Sequence, residues 1–531
     1  MAQITAIAES TLDPNMLYVG SGDGLIHVTS DGGKSWTKPS SIPGLPEYTR
    51  IHQIIASAHD KLVAYAACHN FADGDYKPYL LKTADGGKTW TSINANLPKK
   101  GSTYSIAEDH VDPKLLFTGT LFGLYVSNTG GQDWVSFSNG IPPAAITDIA
   151  IQRRENDIVV STFGRGIYIL DDYSPLRSMN KETLQKEAAL LPVKDTPMFI
   201  PSLPFGFPGI GFQGAGFFST PNPDFGAVFT YYVKDEYKSL KKKRRDAEKE
   251  KQKKGEEIEI PPYNILRKES DEQEPYLLFT ITDEAGNPVR KIKAGISKGV
   301  NRLVWDLRYH VFSPISLTPF DNSVPWNEPD KGYMIVPGKY KVTLSRYDNG
   351  QLTELGPAQT FTCKPLKAGS LPAADQQKLD AFNKKVAELT RAITGADAYR
   401  GELADKIPYL KKAVTETGTL PQQTWTRVLS LEEKLKTLNR KLNGDPLRAT
   451  YESVAPTSLR SKVETVTYSL WSTTSEPTTT FYHLYDVASG QFDEILISLR
   501  SIGEEVKQME SDLEKYGAPY TPGRLPEWKK N

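Results

Sequence analysis

Two short stretches of this 531-residue chain gather side chains able to bind or to catalyse: Glu47-Tyr48-Thr49-Arg50 and His69-Asn70-Phe71-Ala72-Asp73-Gly74-Asp75-Tyr76. Arg165, between two glycines, belongs with them by its place in a repeat described below, as do Asp23 and Phe122. Glu47, Tyr48, Arg50, Asp73, Asp75, Tyr76 and Arg165 form an aromatic and charged candidate surface suited to capture of a glycan or peptide. The carboxylates are numerous enough for a glycosidase, which needs an acid and a base or nucleophile at a set separation. A sialidase-like site would further need three convergent arginines and a Tyr nucleophile assisted by Glu. Only Arg50 and Arg165 are at hand, and Glu47 and Tyr48 would point apart on an extended loop. The residues therefore favour binding over catalysis. The structural alternative is that Arg50 and Arg165 pair with Glu47 or Asp171 and lock neighbouring elements together.

Other chemistries have less support. The histidines show no i, i+4 pairing and no HExxH helix, which argues against a zinc hydrolase. No Gly-x-Ser-x-Gly elbow, phosphate loop or dinucleotide fingerprint is present, and Gly206-Phe207-Pro208-Gly209-Ile210-Gly211 lacks the flanking strand and helix. Asp73-Gly74-Asp75 offers too few acidic ligands for Ca²⁺. The only cysteines, Cys68 and Cys363, provide neither a disulfide framework nor a metal cluster, so no cofactor or metal is expected. Basic and acidic residues balance at 64 each, which removes any global attraction to nucleic acid or to an anionic membrane. No window approaches the ~20 apolar residues of a membrane span. The first residues, Met1 to Ala8, have no basic or long apolar stretch and do not read as a secretory signal; they already look like a strand.

The elements that must position these residues are repeated. Thr29-Ser30-Asp31-Gly32-Gly33-Lys34-Ser35-Trp36 recurs as Thr83-Ala84-Asp85-Gly86-Gly87-Lys88-Thr89-Trp90 and, weakened, as Ser127-Asn128-Thr129-Gly130-Gly131-Gln132-Asp133-Trp134. The tryptophans are 54 and 44 residues apart, a spacing that suits four-stranded propeller blades. Such an Asp-box reverses the chain tightly: Gly-Gly supplies positive φ, the Asp carboxylate and Ser or Thr hydroxyl bond the turn backbone, and the Trp packs beneath. Thr29, Asp31, Gly33, Trp36, Thr83, Asp85, Gly87, Trp90, Ser127, Gly131 and Trp134 are thus structural, and Thr129 should weaken the third turn. A fourth copy, Ile158 to Asp172, lacks the Gly-Gly-x-x-Trp and reads as a closing or degenerate blade. Propeller geometry sets the boxes on one rim and the inter-blade and second-to-third-strand loops on the other, where functional groups belong.

The chain is accordingly multidomain, mainly β with an α C-terminal part. A partial Asp-box β-propeller of three to four blades covers 1–175, and an irregular Pro/Gly/Phe-rich connector covers 176–225. A β-sandwich of roughly Ig or fibronectin type covers 226–366, with strands at Ala227 to Val233, Tyr276 to Thr282, Asn301 to Leu307 and Lys339 to Arg346. Its charged insertion at 238–260 includes nine basic and three acidic residues between Lys241 and Lys254, read as a solvated helix rather than a nucleic-acid tract. Helical periodicity marks an antiparallel bundle over 367–516, with Leu379, Phe382, Val386, Leu389 and Ile393 on one face and Trp425, Val428, Leu429, Leu431, Leu435 and Leu438 on another. The tail 517–531 is extended and should lie along another domain.

Several segments carry a resemblance: Asp23 to Thr29, Pro43 to Arg50, Tyr76-Lys77-Pro78-Tyr79, Gly164 to Asp172, Asn301-Arg302-Leu303-Val304-Trp305-Asp306-Leu307-Arg308-Tyr309 and Tyr520-Thr521-Pro522-Gly523-Arg524. In these the chain resembles large bacterial Asp-box (BNR-repeat) proteins often labelled glycosyl hydrolase, whose propellers look like those of sortilin-type receptors. The resemblance covers nearly the whole chain, as the C-terminal half of a longer protein. It implies a periplasmic or extracellular setting and further blades, since three or four cannot close a ring. Those blades would come from an N-terminal half or from another chain. The expected function is a non-enzymatic binding or scaffold protein for a peptide, glycan or protein partner. The alternatives are a glycoside hydrolase completed by that other half, and a subunit of a cell-envelope complex.

Overall fold

The computed structural model describes residues 3–39, 41–201, 216, 220, 222–324, 327, 329–348, 350–366, 371–451, 456–526 and 528. The Pro204 to Phe212 part of the expected connector lies outside them. The chain divides into two compact units, Met1–Pro192 with Thr230–Glu236 and Ser297–Asn301, and Val193–Phe229 with Tyr237–Ile296 and Arg302–Asn531.

Four antiparallel sheets follow one another in the first unit. They are β1 (Ile4–Ser10), β2 (Asp13–Ser21) and β3 (Ile26–Thr29); β4 (Arg50–Ala56), β5 (Ala64–Asn70), β6 (Asp75–Thr83) and β7 (Thr91–Ser92); β8 (Thr103–Glu108), β9 (Leu116–Thr120), β10 (Gly123–Ser127) and β11 (Val135–Ser136); and β12 (Ile146–Gln152), β13 (Asp157–Thr162) and β14 (Ile167–Leu170). In the first sheet a single bridge from Val28 to Thr37 marks the fourth-strand position. The first strand of each sheet lies against the next sheet's first strand, as in successive propeller blades. All seven residues of β5 are buried, because a middle strand has a neighbouring blade on each face.

The blades interlock through small residues and wedged rings. A Cβ on Gly20 of β2 would fall 2.4 Å from Cγ2 of Ile51 on β4, and one on Gly119 of β9 would fall 2.7 Å from Cγ2 of Ile146 on β12. Trp90 lies edge-on to Tyr18 of the preceding blade at 6.5 Å, and Trp134 donates its Nε1 proton to the Ile93 carbonyl at 2.8 Å. Both rings are buried, whereas Trp36, expected to pack beneath its turn, is 44% exposed. The packing partner of each wedge is the blade before it, and the described residues include no such blade for Trp36. Nor is the fourth blade without a wedge. Tyr173 takes the role, lying edge-on to Phe117 at 5.3 Å and donating its hydroxyl to Asp109 at 2.6 Å. Asp109, fully buried, is also gripped by Arg177 through Nε and Nη2 at 2.7 and 2.8 Å. These bonds hold its carboxyl below the usual range against the opposing effect of burial.

The Gly-Gly turns form as their chemistry requires. Thr29 Oγ1 accepts from the Gly33 amide at 3.0 Å and donates to Asp31 at 2.7 Å, and Asp31 accepts from the Ser35 amide and hydroxyl at 2.9 and 2.6 Å. Thr83, Asp85, Gly87 and Thr89 repeat this set. The paired glycines all have positive φ. In the third turn Thr129 Oγ1 takes the carboxylate's place, accepting from the Asp133 amide at 2.9 Å. A second regularity was not read from the sequence. Each first strand carries a register shift near its start, between Ile4 and Ala6, Ile51 and Gln53, Thr103 and Ser105, and Ile146 and Asp148. The extra residues are Thr5, His52, Tyr104 and Thr147.

Beyond the blades come α1 (Lys181–Gln185), β15 (Ala188–Leu190), β16 (Thr196–Met198), β17 (Ala227–Val233), α2 (Leu240–Lys254) and α3 (Tyr263–Asp271). Then follow β18 (Tyr276–Asp283), β19 (Pro288–Ala294), β20 (Gly299–Trp305), β21 (Gly338–Asp348), β22 (Gln351–Glu354) and β23 (Gln359–Pro365). In the second unit β16, β23, β21, β18 and β19 form a sheet in that order, with β22 on β21. Phe229 of β17 stacks on Phe279 at 6.0 Å, and Trp305 of β20 meets Tyr340 at 5.8 Å, so aromatic rings fill this core. The charged insertion is helical, with Arg244 of α2 bonded to Glu248 and in a fork to Glu269 of α3. The bundle comprises α4 (Gln376–Glu416), α5 (Gln423–Asn443), α6 (Pro446–Tyr451), α7 (Leu459–Leu470) and α8 (Thr479–Lys515). Leu429 is exposed rather than part of its core, and Thr424 is buried instead, because the inward stripe of α5 runs through Thr424, Val428, Leu431 and Leu435. The tail folds back on its own bundle. Tyr520 and Arg524 both bond Glu514 of α8, and Ala518 joins the bundle core.

Candidate functional site

Because the strands alternate in direction, the β2–β3, β5–β6, β9–β10 and β13–β14 turns share one rim with the links between blades. The candidate residues all fall on that rim, but they do not all converge. Glu47 and Tyr48 occupy a tight turn, closed by the Thr49 amide on the Pro46 carbonyl at 3.3 Å, rather than an extended loop. Tyr48 takes φ 62°, uncommon for a bulky residue, and its ring is exposed. The neighbouring Asp23 turn packs against it, with Gly24 so close to the Thr49 backbone that a Cβ would lie 3.0 Å from its carbonyl oxygen. Arg50 pairs with His69 across β4 and β5. Among the described residues neither Arg50 nor Arg165 forms an ion pair, so the interlocking alternative finds no support there.

Asp75 is committed to its own hairpin. It accepts the Tyr79 hydroxyl at 2.5 Å and the Lys77 amide at 3.1 Å, and the Tyr79 bond is the main cause of its lowered pKa. Asp73 ends a helical turn, Phe71–Asp73, and like Tyr76 is exposed. Arg165 projects from the β13–β14 turn, where Gly164 and Gly166 have positive φ. The candidate carboxylates are engaged differently: Glu47 lies in the turn before β4, Asp73 ends the Phe71–Asp73 helical turn, and Asp75 accepts from Tyr79.

The sequence reading named Phe71 and Phe122 but not the row they form with Phe163, nor the cluster beneath it. Exposed phenylalanines occupy three successive equivalent turns: Phe71 after β5, Phe122 after β9 and Phe163 after β13. Beneath Phe71 lies an imidazole and phenol cluster. Phe71 stacks on His69 at 4.5 Å, and Tyr104 stands 5.2 Å from His69 and 5.4 Å from His52. His69 Nε2 and His52 Nδ1 are 3.3 Å apart, a hydrogen bond that requires one of the two to be a donor and the other a neutral acceptor. Burial first, then His52 and Arg50, depress the His69 pKa to about 4. Burial and Arg50 also lower His52, against the pull of Asp148. Both rings are therefore neutral at pH 7. The signal for His52 and Tyr104 was their common place in the first-strand bulge, where an extra residue re-aims its side chain. Gln53, one residue on, donates to Asp148 at 3.1 Å and accepts the Ile106 amide at 2.7 Å, tying second, third and fourth blades together below the cluster.

Among the described residues no group of three or more His, Cys, Asp and Glu side chains could hold a metal ion, and no helix is long and apolar enough to cross a membrane.

No known protein family matches the chain, and no curated protein does. Solved structures similar to it include the GH74 enzyme of Niastella koreensis, at 14% identity and a TM-score of 0.26 over 32% of this chain and 28% of that one. YCF48 from Cyanidioschyzon merolae follows at 18% identity and a TM-score of 0.24, over 32% and 53% of the two chains. The β-propeller domain of Myceliophteria thermophila Cps50 (Swd1) has 12% identity and a TM-score of 0.26 over 36% and 63%. The chain thus spans less than two thirds of each. The propeller architecture is the one already described from the strands themselves, and likenesses this remote carry no activity across.

Proposed function

We propose that the first unit is a non-enzymatic binding surface that captures a peptide or glycan chain along the rim described above. The observation that carries this reading is the row of exposed rings Phe71, Phe122 and Phe163 on consecutive equivalent turns, with Tyr48 held out by a left-handed backbone. Exposed rings cost free energy in water unless a partner covers them, and a row with the period of the blades suits an extended ligand. Arg50 and Arg165 flank the row and supply guanidinium groups for carboxylates. The neutral His52–His69 pair and Tyr104 offer a hydrogen-bonding floor. The setting is a scaffold or receptor outside the cytoplasm, as the sequence resemblance suggests.

The test is binding to glycan and peptide arrays, followed by calorimetry on any hit, for the wild-type chain and for Tyr48→Ala/Phe122→Ala/Phe163→Ala. Replacing exposed rings should leave melting unchanged while weakening capture by ~100-fold, since buried aromatic anchors cost ~1–3 kcal/mol each when truncated. Undiminished binding by the triple variant would dispose of the rim, and turnover of chromogenic glycosides by the chain would favour the hydrolase instead.

A further inference from the structure

Between β17 and β18 in sequence, α2 and α3 form a hairpin whose ends are chemically defined. Ser239 caps α2 by accepting the Lys242 amide at 3.1 Å, and Gly255, at φ 72°, ends it with the Glu256 amide on the Lys251 carbonyl at 3.0 Å. Glu272 closes the base, accepting the Tyr237 hydroxyl at 2.7 Å and the Leu240 amide at 2.8 Å. Arg244 braces the two helices through its bonds to Glu248 and Glu269. No apolar core joins them, since neither helix has a buried residue. The apolar side chains of the hairpin are therefore not spent on holding it together.

Two surfaces result. At about 3.6 residues per turn, positions 241, 242, 245, 249, 252 and 253 share one third of the circumference of α2, and all but Gln252 are basic. The carboxylates of the helices are engaged elsewhere: Asp246 by Lys238, Glu248 and Glu269 by Arg244, Glu250 by Lys253 and Asp271 by Arg267. None of these pairs uses Lys241, Arg245 or Lys249. The second surface is apolar: Ile258, Ile260, Tyr263, Ile265 and Leu266 are 43, 91, 76, 43 and 40% exposed. On α3, Tyr263, Ile265 and Leu266 share a side with Ser270 and Glu269, while Asn264, Arg267, Lys268 and Asp271 take the other. Arg244 first, then Lys241 and Arg245, hold the Glu269 carboxyl below its usual range, which sets the start of the basic arc beside the apolar side of α3. In the loop, Glu257 and Glu259 alternate with Ile258 and Ile260, the period of a segment with one apolar side.

We propose that the α2–α3 hairpin docks on an anionic lipid surface, with Lys241, Arg245 and Lys249 at the headgroup phosphates and Ile260, Tyr263 and Leu266 at the boundary of the acyl chains. A basic arc beside exposed aliphatic and aromatic side chains is the combination such a boundary receives, charge drawing the hairpin down and apolar area holding it there. Nucleic acid would satisfy the basic arc but leave Ile260 and Leu266 in water. The neutrality of the whole chain does not oppose the contact, because salt screens surface charges beyond about 8 Å and the surface meets only the hairpin. Within 238–272 twelve basic residues stand against nine acidic ones, so the local balance is positive. No spanning helix is needed, as the hairpin lies in the interface plane. Rim capture uses none of these residues, so the two readings fail independently.

The experiment is co-sedimentation of the 531-residue chain with vesicles of phosphatidylcholine alone and of phosphatidylcholine with one third phosphatidylglycerol. Partition onto the anionic vesicles should exceed that onto the neutral ones at least tenfold and fall as salt is raised. Lys241→Gln/Arg245→Gln/Lys249→Gln should weaken it roughly 100-fold, since each basic residue near such a surface contributes about fivefold. Ile260→Ser/Tyr263→Ser should weaken it at least tenfold with every charge kept. Melting should be unchanged in both variants, because all five side chains are exposed. The fluorescence of Ile260→Trp should shift to the blue on anionic vesicles, which attraction by charge alone does not produce. Equal partition onto the two vesicles, partition that survives either variant, or an unshifted Ile260→Trp emission would each overturn the proposal. Tighter binding of a single-stranded oligonucleotide than of anionic vesicles at equal phosphate would overturn it as well, and assign the basic arc to nucleic acid.

Discussion

Lowering the pH from 7 to 4.5 should weaken the second blade through one imidazole. His69 is 5% exposed and sits between Phe71 and Tyr104, with His52 and Arg50 as the nearest titratable groups and Asp148 beyond His52. Its pKa is about 4 in the folded chain and near 6.5 when unfolded. The unfolded state therefore binds the proton first, and stability, complete above pH 6.5, drains away as pH falls toward 4. At pH 4.5 the unfolded ring is almost fully charged and the folded one about three-quarters neutral, which costs roughly 2.5 kcal/mol. His52, shifted in the same direction, adds to the loss. Hydrogen exchange read by mass spectrometry over Ala64–Asn70, corrected for intrinsic rates, reports the opening free energy of this strand. The wild type should lose about 2–3 kcal/mol between pH 6.5 and 4.5, and His69→Gln, which keeps a hydrogen-bonding partner for His52 without the charge, should lose less than half as much. Equal losses in the two proteins would refute the argument that a desolvated imidazole sets this dependence.

Further perturbations follow from the packing. Arg177→Met strands the buried Asp109 carboxylate and should cost about 3–5 kcal/mol, seen as a lower melting temperature, with Asp109→Asn in the same chain recovering part of it. Gly87→Ala meets both a φ of +83° and a contact 2.5 Å from Val28 Cγ2, so a loss of about 2–4 kcal/mol is expected. Gly44→Ala, with a φ of +76° and nothing within 4 Å, should lose only the ~1 kcal/mol of backbone strain in the same denaturation assay. Thr129→Asp/Asp133→Ser rebuilds the carboxylate turn of the other blades and should raise stability by about 0.5–1 kcal/mol. Thr129→Asp alone should gain less, since it sets two carboxylates side by side.

The local chemistry of the repeated turns was legible because it depends on residues within eight positions of one another: positive φ at Gly-Gly and an acceptor at Asp31 or Asp85. The bundle was legible for the same reason, its stripes being periodic, although Thr424 for Leu429 shows that hydrophobicity alone misplaces a stripe by a third of a turn. What could not be read depends on neighbours distant in sequence. Nothing local distinguishes Trp36 from Trp90; the difference is that Trp90 packs on Tyr18, far from it in sequence. Tyr173 replaces a tryptophan without any of the surrounding motif, since the contact needs only a ring against Phe117 and an acceptor at Asp109. On the rim, position within the repeat was informative and residue type was not: counting histidines hid His52 and His69, whereas aligning the first strands brings His52 and Tyr104 into one row. Asp75, read as a binding group, serves Tyr79, because a carboxylate four residues before a tyrosine in a hairpin finds it first.

The bulges have one more implication. An inserted residue that the ladder does not use is released from the demands of strand pairing, so at Thr5, His52, Tyr104 and Thr147 the side chain is set by its contacts and not by register. Two small hydroxyls, an imidazole and a phenol already occupy the four places. Such a set lets the side chains along this rim differ from blade to blade while the strand frame stays the same.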